Sequence, residues 1–234
     1  MSEGLEFLAK RGLMRVASFN RDHLPPEVAG YFTDLPAGGT LILIGHGGQL
    51  FWQMARAHWP EGKDPIDRLS KRWGERFAAL EGLSEPRILF PFGETRRPLL
   101  SLARLMGMGF TSPLGMTIDP EFGLWTALRC LIWTPDSFEA PTQPQQAHPC
   151  EDCGPKPCLA ACPVQAPQWP GEMLRDVCVD ERTREGSDCA RACLSRLACP
   201  LAEEHRYLQE QRDYHGGISL ATISAWKQAS QGKA

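Results

Sequence analysis

The sequence predicts an α+β protein: a mixed helix-and-strand domain with an antiparallel hairpin, followed by a small cysteine-rich module. Three observations predict it. Apolar runs of strand length, TLILI at 40–44 and ALRCLIW at 127–133, are interspersed with amphipathic helical stretches in the first 134 residues. Residues 135–149 (PDSFEAPTQPQQAHP) are rich in Pro and Gln and carry no apolar period. Eight of the nine cysteines then fall between Cys150 and Cys199.

The elements follow in order. Residues 5–16 read as a helix, with Leu5, Leu8, Leu13 and Val16 near one face. Residues 40–44 read as a buried strand that runs into a turn at Gly45-His46-Gly47-Gly48 and then a helix, LFWQMARAHW. Asp64-Pro65 is an N-cap followed by Pro at the first helical position. The helix it starts shows an apolar stripe of Ile66, Leu69, Trp73, Phe77 and Leu80. RILF at 87–90 suggests a strand, and a helix follows from Pro98 to Met106. Leu114–Ile118 and Leu124–Thr134 read as two strands around Asp119-Pro120-Glu121-Phe122-Gly123, which is turn chemistry. The expected division is a cofactor-binding α/β domain at 1–134, a linker at 135–149, a cysteine module at 150–200 and a helical tail at 201–234. The tail ends in an amphipathic stretch with Leu220, Ile223 and Trp226.

Composition excludes several classes. The hydrophobic fraction of 42% and charged fraction of 23% are those of an ordinary globular protein. A net charge of −3 argues against a dedicated nucleic-acid binder, so no nucleic-acid partner is expected. No apolar run approaches the length of a membrane span. The N-terminal MSEGLEFLAKRG lacks the apolar core of a secretory signal. The expected location is cytoplasmic, with no membrane association. Thiols stay reduced there, which makes disulfides poor candidates.

The first thiol set is Cys150-x2-Cys153-x4-Cys158-x3-Cys162-Pro163. The bacterial ferredoxin run is C-x2-C-x2-C-x3-C-P, in which three thiolates cap one cubane and the fourth reaches the other. The middle spacing is longer here, through Gly154-Pro155-Lys156-Pro157. The second set, Cys178, Cys189, Cys193 and Cys199-Pro200, is looser but also closes on Cys-Pro. Eight thiols meet the needs of two 4Fe–4S clusters in a ferredoxin-like module, or of one cluster if one half is degenerate. If ligand exchange follows two-cluster ferredoxins, Cys150, Cys153 and Cys158 share a cluster with Cys199. Cys178, Cys189 and Cys193 then share one with Cys162. Zinc also takes four thiolates, but zinc sites usually show two C-x2-C knuckles and this chain has one. Clusters therefore rank above zinc, and zinc above disulfides or free thiols. Cys130, inside an apolar run, reads as a core residue.

A resemblance adds to this reading. The segment GMGFTSPLGMTIDPEFGLWTALRCLIWTP resembles a stretch shared by epoxyqueuosine reductases, corrinoid reductive dehalogenases and the cobalamin-processing protein of methylmalonic aciduria type C. The matching positions are Gly107, Gly109 and Gly115, the Asp119–Gly123 turn, Trp125 and Arg129. The first two families also place a double-cluster module directly after that stretch. The resemblance spans about residues 87–200, and the first 80 residues match only loosely. It implies a nitroreductase-like core holding a cobalamin or, by kinship, a flavin, with Gly109, Gly115, Phe122, Trp125 and Arg129 as cofactor contacts. It implies that the clusters pass electrons to that cofactor, and that the partners are an electron-donor protein or reductase and a corrinoid or other small molecule. Epoxyqueuosine reductases carry a helical-repeat tail for tRNA. This chain ends soon after its module and is not basic, so tRNA is not an expected substrate. The export signal usual in reductive dehalogenases is not seen.

Other residues weigh less. His46, after a strand, could present backbone N–H groups to an anion, but the segment matches no nucleotide-binding fingerprint, so a structural turn is preferred. Arg96-Arg97 could contact a cofactor phosphate or face solvent. Phe122 and Trp125 could stack on a planar macrocycle, although a strand aromatic is more often core. His148 beside Cys150 could replace a thiolate, but eight thiols make that unnecessary. No nucleophile–base pair is visible and no catalytic residue is identified. Whether the chain is an enzyme stays open between three readings. They are an iron–sulfur oxidoreductase, a non-enzymatic electron carrier or cobalamin-handling protein, and a zinc-stabilised binding module.

Overall fold

A computed structural model describes residues 1–141 and 147–231, the side chain of Gln231 aside. Residues 142–146 of the expected linker lie outside the described residues. The chain forms two compact units: residues 1–110 with 126–146, and residues 111–125 with 147–234. The segment 111–125, expected within the first domain, thus belongs with the cysteines.

The first unit opens with α1 (Glu3–Ala9) and β1 (Arg15–Asn20). The sequence reading had one helix through residue 16. Gly12 ends it sooner, at φ +76°, where the Leu13 amide bonds back to the Leu8 carbonyl. Only glycine fits, because a Cβ there would sit 2.3 Å from the Phe51 amide nitrogen. A short α2 (Pro26–Ala29) leads to β2 (Thr40–Gly47), α3 (Leu50–Ala57), α4 (Pro65–Leu80), β3 (Arg87–Phe90) and α5 (Leu99–Leu105). Then come β4 (Phe110–Thr111), β5 (Thr117–Ile118) and β6 (Thr126–Thr134).

The sheet order is β1-β2-β6-β3, with every pair antiparallel. The expected hairpin of 114–118 with 124–134 does not form. β5 pairs with β4, and the Asp119–Gly123 turn closes its own small bridge. β6 is nearly all apolar and buried along most of its length, so its edges are taken by β2 and β3. Leu41 and Leu43 join Leu131, Trp133, Phe32 and Leu102 in one cluster on one face. On the other face α4 comes so close that a Cβ on Gly74 would lie 2.5 Å from the Cys130 sulfur. Cys130 is therefore a core residue. Helices cover both faces, which explains why β2 and β6 read as continuous apolar runs. After β6 the chain stays fastened: Thr40 Oγ1 donates to the Asp136 carbonyl at 2.8 Å and Ala140 N donates to Ser18 Oγ at 2.9 Å.

Among the described residues the second unit carries the α-helices α6 (Pro157–Ala160), α7 (Arg175–Thr183), α8 (Leu194–Leu197) and α9 (Gln209–Gln231). α6 and α8 are single turns inside the thiol runs: α6 carries Cys158, and α8 lies between Cys193 and Cys199. Lys227 ties α9 to α7 through Asp180 and Thr183, at 2.7 and 3.0 Å. Among the described residues no helix is long and apolar enough to cross a membrane.

Candidate metal centre

The eight thiols separate into two groups of four by the charge each would place on the others. Burial first, then Cys158, Cys199 and Cys153, pushes Cys150 up to about 11. Burial and the thiols Cys199 and Cys153 also raise Cys158, and burial with Cys153 raises Cys199. Cys178 is pushed up to about 11 by burial and then by Cys193, with Cys162 and Cys189 adding to it. Cys189 is raised by burial, Cys193 and Cys162. Each group thus takes three thiols from one run and one from the other. The four thiols of the second group also line a single cavity, together with Leu114, Met173 and Arg182.

Backbone amides are aimed at the sulfurs. Leu159, Leu194 and Leu201 donate to Cys158, Cys189 and Cys199, each favouring the thiolate. Ala166 N donates to Cys162 Sγ at 3.4 Å. This is the preparation a metal-bound thiolate requires, since the ligand is the deprotonated form. All nine cysteines are free thiols. Among the described residues no three His, Cys, Asp or Glu side chains converge closely enough to hold a single ion.

Supporting residues fix the loops. His148 Nδ1 accepts from the Cys150 amide at 3.1 Å, while Nε2 lies 3.1 Å from the Thr111 carbonyl and donates to it. Both ring nitrogens are engaged, so the ring positions Cys150 instead of replacing a thiolate. Lys156 Nζ donates to the Cys153 carbonyl at 2.9 Å, inside the expanded Cys153–Cys158 loop. Arg182 donates to the carbonyls of Cys189 and Ala190 at 3.3 and 3.2 Å. The sequence reading missed Arg182, because an arginine on a polar helix carries no spacing signature.

The five residues expected to touch a cofactor are divided between the units. Gly109 and Arg129 fall in the first, and Gly115, Phe122 and Trp125 in the second. Gly109 and Gly115 both take positive φ, +128° and +64°. Phe122 is buried against His205, and Trp125 is fully buried between Tyr207 and the Arg196 guanidinium. Their rings are covered by protein, so they do not fit a stacking role on a planar macrocycle. Asp119 Oδ1 accepts from the amides of Glu121 and Phe122, which holds the turn.

In the first unit, His46 is not in a turn: β2 continues through Gly47, past a bulge at Ile44/Gly45. Its ring is fully buried, stacks on Phe51 and accepts from Arg129 Nη2 at 3.2 Å. Asp67 belongs to the same neighbourhood. Burial raises its carboxyl, and Arg129 opposes the rise. Sequence patterning did not single out Asp67, which read only as a polar position in a helix. Arg97 is tied within the protein. It forms a two-pronged pair with Asp34 at 2.8 and 2.5 Å over the Phe32 ring, while Arg96 is exposed.

No family model matches the chain, and no curated protein matches it. Solved structures do. The chain is similar to epoxyqueuosine reductase from Streptococcus thermophilus, at TM-score 0.57 and 17% identity over 86% of this chain and 65% of that one. It has the fold of the epoxyqueuosine reductases. The Bacillus subtilis enzyme, solved with its catalytic loop swung out of the active site, gives TM-score 0.60 and 17% identity over 87% of this chain and 65% of that one. An epoxyqueuosine reductase solved with an epoxyqueuosine-modified tRNA stem loop gives TM-score 0.57 and 17% identity over 88% and 66%. The chain therefore spans just under two thirds of the length of these enzymes.

Proposed function

We propose that this chain is a reductase-type iron–sulfur protein. In this reading Cys150, Cys153, Cys158 and Cys199 hold one 4Fe–4S cluster, and Cys162, Cys178, Cys189 and Cys193 hold the other. The observation that carries it is the crossed grouping of the thiols, three from one run and one from the other in each group. Such exchange is how two-cluster ferredoxins share their ligands. The crossed sharing of thiols between the two runs supports clusters over zinc.

When bound, the clusters supply single electrons. The chain's own residues hold the thiols, satisfy the sulfurs with amides and exclude water by burial. Fold likeness to epoxyqueuosine reductases supports an acceptor of cobalamin or flavin type, with Gly109 and Arg129 of the first unit as contacts. An electron-donor protein or reductase is the partner this reading requires. One neighbour was solved with a tRNA stem loop, which adds RNA to the substrates to be tested despite the net charge of −3. Anaerobic purification with iron, sulfide, cobalt and flavin quantitation on one sample tests the assignment. Iron and sulfide with neither cobalt nor flavin, and no turnover with a reduced donor, would favour the carrier reading.

A further inference from the structure

We propose that the second unit contains a binding site for a small polyanion of the phosphate class, beside the second thiol group. A cavity of about 240 Å³ is lined by Arg182, Arg191, Arg196, Arg212, His215 and Trp125. None of its described lining residues is acidic. Cys193 also borders it, so an occupant would sit next to the thiol site without replacing any of its ligands.

The donors outnumber the acceptors that protein supplies. Trp125 is fully buried, and its indole N–H has no hydrogen-bond acceptor. The Nε–H groups of Arg196 and Arg212 are likewise buried without one. A buried donor left unmet is costly, and natural structures satisfy nearly all of them. These closed-off donors leave the wall electropositive, and the guanidiniums of Arg191 and Arg212 are the cations that line the cavity for an acceptor-rich ligand. Guanidinium forks match phosphate oxygens in pairs. Arg182 is already tied to the Cys189 and Ala190 carbonyls and to Ser219 Oγ and adds only charge. The four cations around one cavity repel each other until an anion is present.

The fold builds this wall at a cost. Gly216 stands inside α9, where glycine weakens a helix. A Cβ there would lie 1.9 Å from the Arg191 carbonyl oxygen, so glycine alone lets α9 press against the Arg191 backbone and close the cavity. Size separates the ligand classes. The cavity suits a diphosphate-sized molecule and encloses no nucleic-acid helix.

The test is calorimetric titration of the full-length, anaerobically purified protein with inorganic pyrophosphate, at low salt. The expected result is saturable one-to-one binding that weakens with added salt. It should fall at least tenfold in Arg191→Ala/Arg212→Ala and stay unchanged in Arg68→Ala/Arg72→Ala, which removes cations from a surface of the first unit. Iron content and circular dichroism confirm that each variant is folded. Absence of saturable binding, or equal loss in both variants, overturns the proposal. So does a tRNA stem loop that binds through Arg191 and Arg212 when pyrophosphate does not. His215→Gln, which leaves the arginines in place, should weaken binding less than the double variant does.

Discussion

The sheet unit and the cysteine unit are held together by different means. The first buries Leu41, Ile42, Leu43 and Ile44 side by side, with helices on both faces. The second buries few apolar side chains, and what it gathers inward includes Cys150, Cys158, Cys189 and Cys199. Its helix α7 has no buried residue, and α6 and α8 have four residues each. Metal bound at those thiols would couple this unit's folding to the site. The comparison teaches that the stability of the two units answers to different chemistry.

The largest effect that can break this contrast is metal removal. Anaerobic chelation should unfold the cysteine unit while leaving the sheet unit folded. Hydrogen exchange should then show protection retained in β2 and β6 and lost from 150–200. A single cooperative loss of both would contradict the contrast.

The next effect lies in the sheet unit. Gly74→Ala places a methyl against the Cys130 sulfur and should cost about 1–3 kcal/mol, read by denaturant unfolding. Iron content should not change.

A pH test sharpens the contrast from the other side. In the metal-free chain Cys150 and Cys178 are pushed from 9.0 to about 11 by burial and by neighbouring thiols. Values raised in the folded arrangement mean that metal-free loops are least opposed to adopting it below pH 9 and increasingly opposed as pH rises from 9 toward 11. Metal loading must expel those protons, so reconstitution should tighten with pH and release protons measurable in weakly buffered solution. The smallest effect is at the surface of the sheet unit. Arg97 holds the Asp34 carboxyl below the ordinary carboxylate range, through its hydrogen bond first. The stability of that pair is present above the ordinary carboxylate value and is lost as pH falls through the depressed one. Asp34→Asn should therefore flatten the acid limb of the stability curve, and Arg97→Ala should cost about 1 kcal/mol at neutral pH.

The two units also differed in how far they could be read in advance. The two thiol runs were legible because cluster ligands follow chain spacing and a Cys-Pro stop. The strand at 40–44 and the helix from Asp64 were legible from period and cap. β1 was not, because Leu13 and Val16 kept a helical spacing past Gly12, whose positive φ is a backbone property. The hairpin at 114–134 failed because β6 is recruited by distant strands, which no local pattern encodes. Residues 111–125 changed unit for the same reason. Arg97 read as a candidate phosphate contact until its partner Asp34, far away in sequence, was in view. The arginines around the cavity share no spacing and became a site only through folding.

The central claim is that two cubanes are held by crossed thiol groups. Its most direct measurement is anaerobic iron and sulfide quantitation on wild type, Cys199→Ser and Cys162→Ser, with electron paramagnetic resonance of the reduced proteins. The account predicts about eight irons and eight sulfides in wild type. Each variant should lose a different one of two cluster signals and keep about four irons. Zinc without sulfide, or both variants losing the same signal, would contradict it.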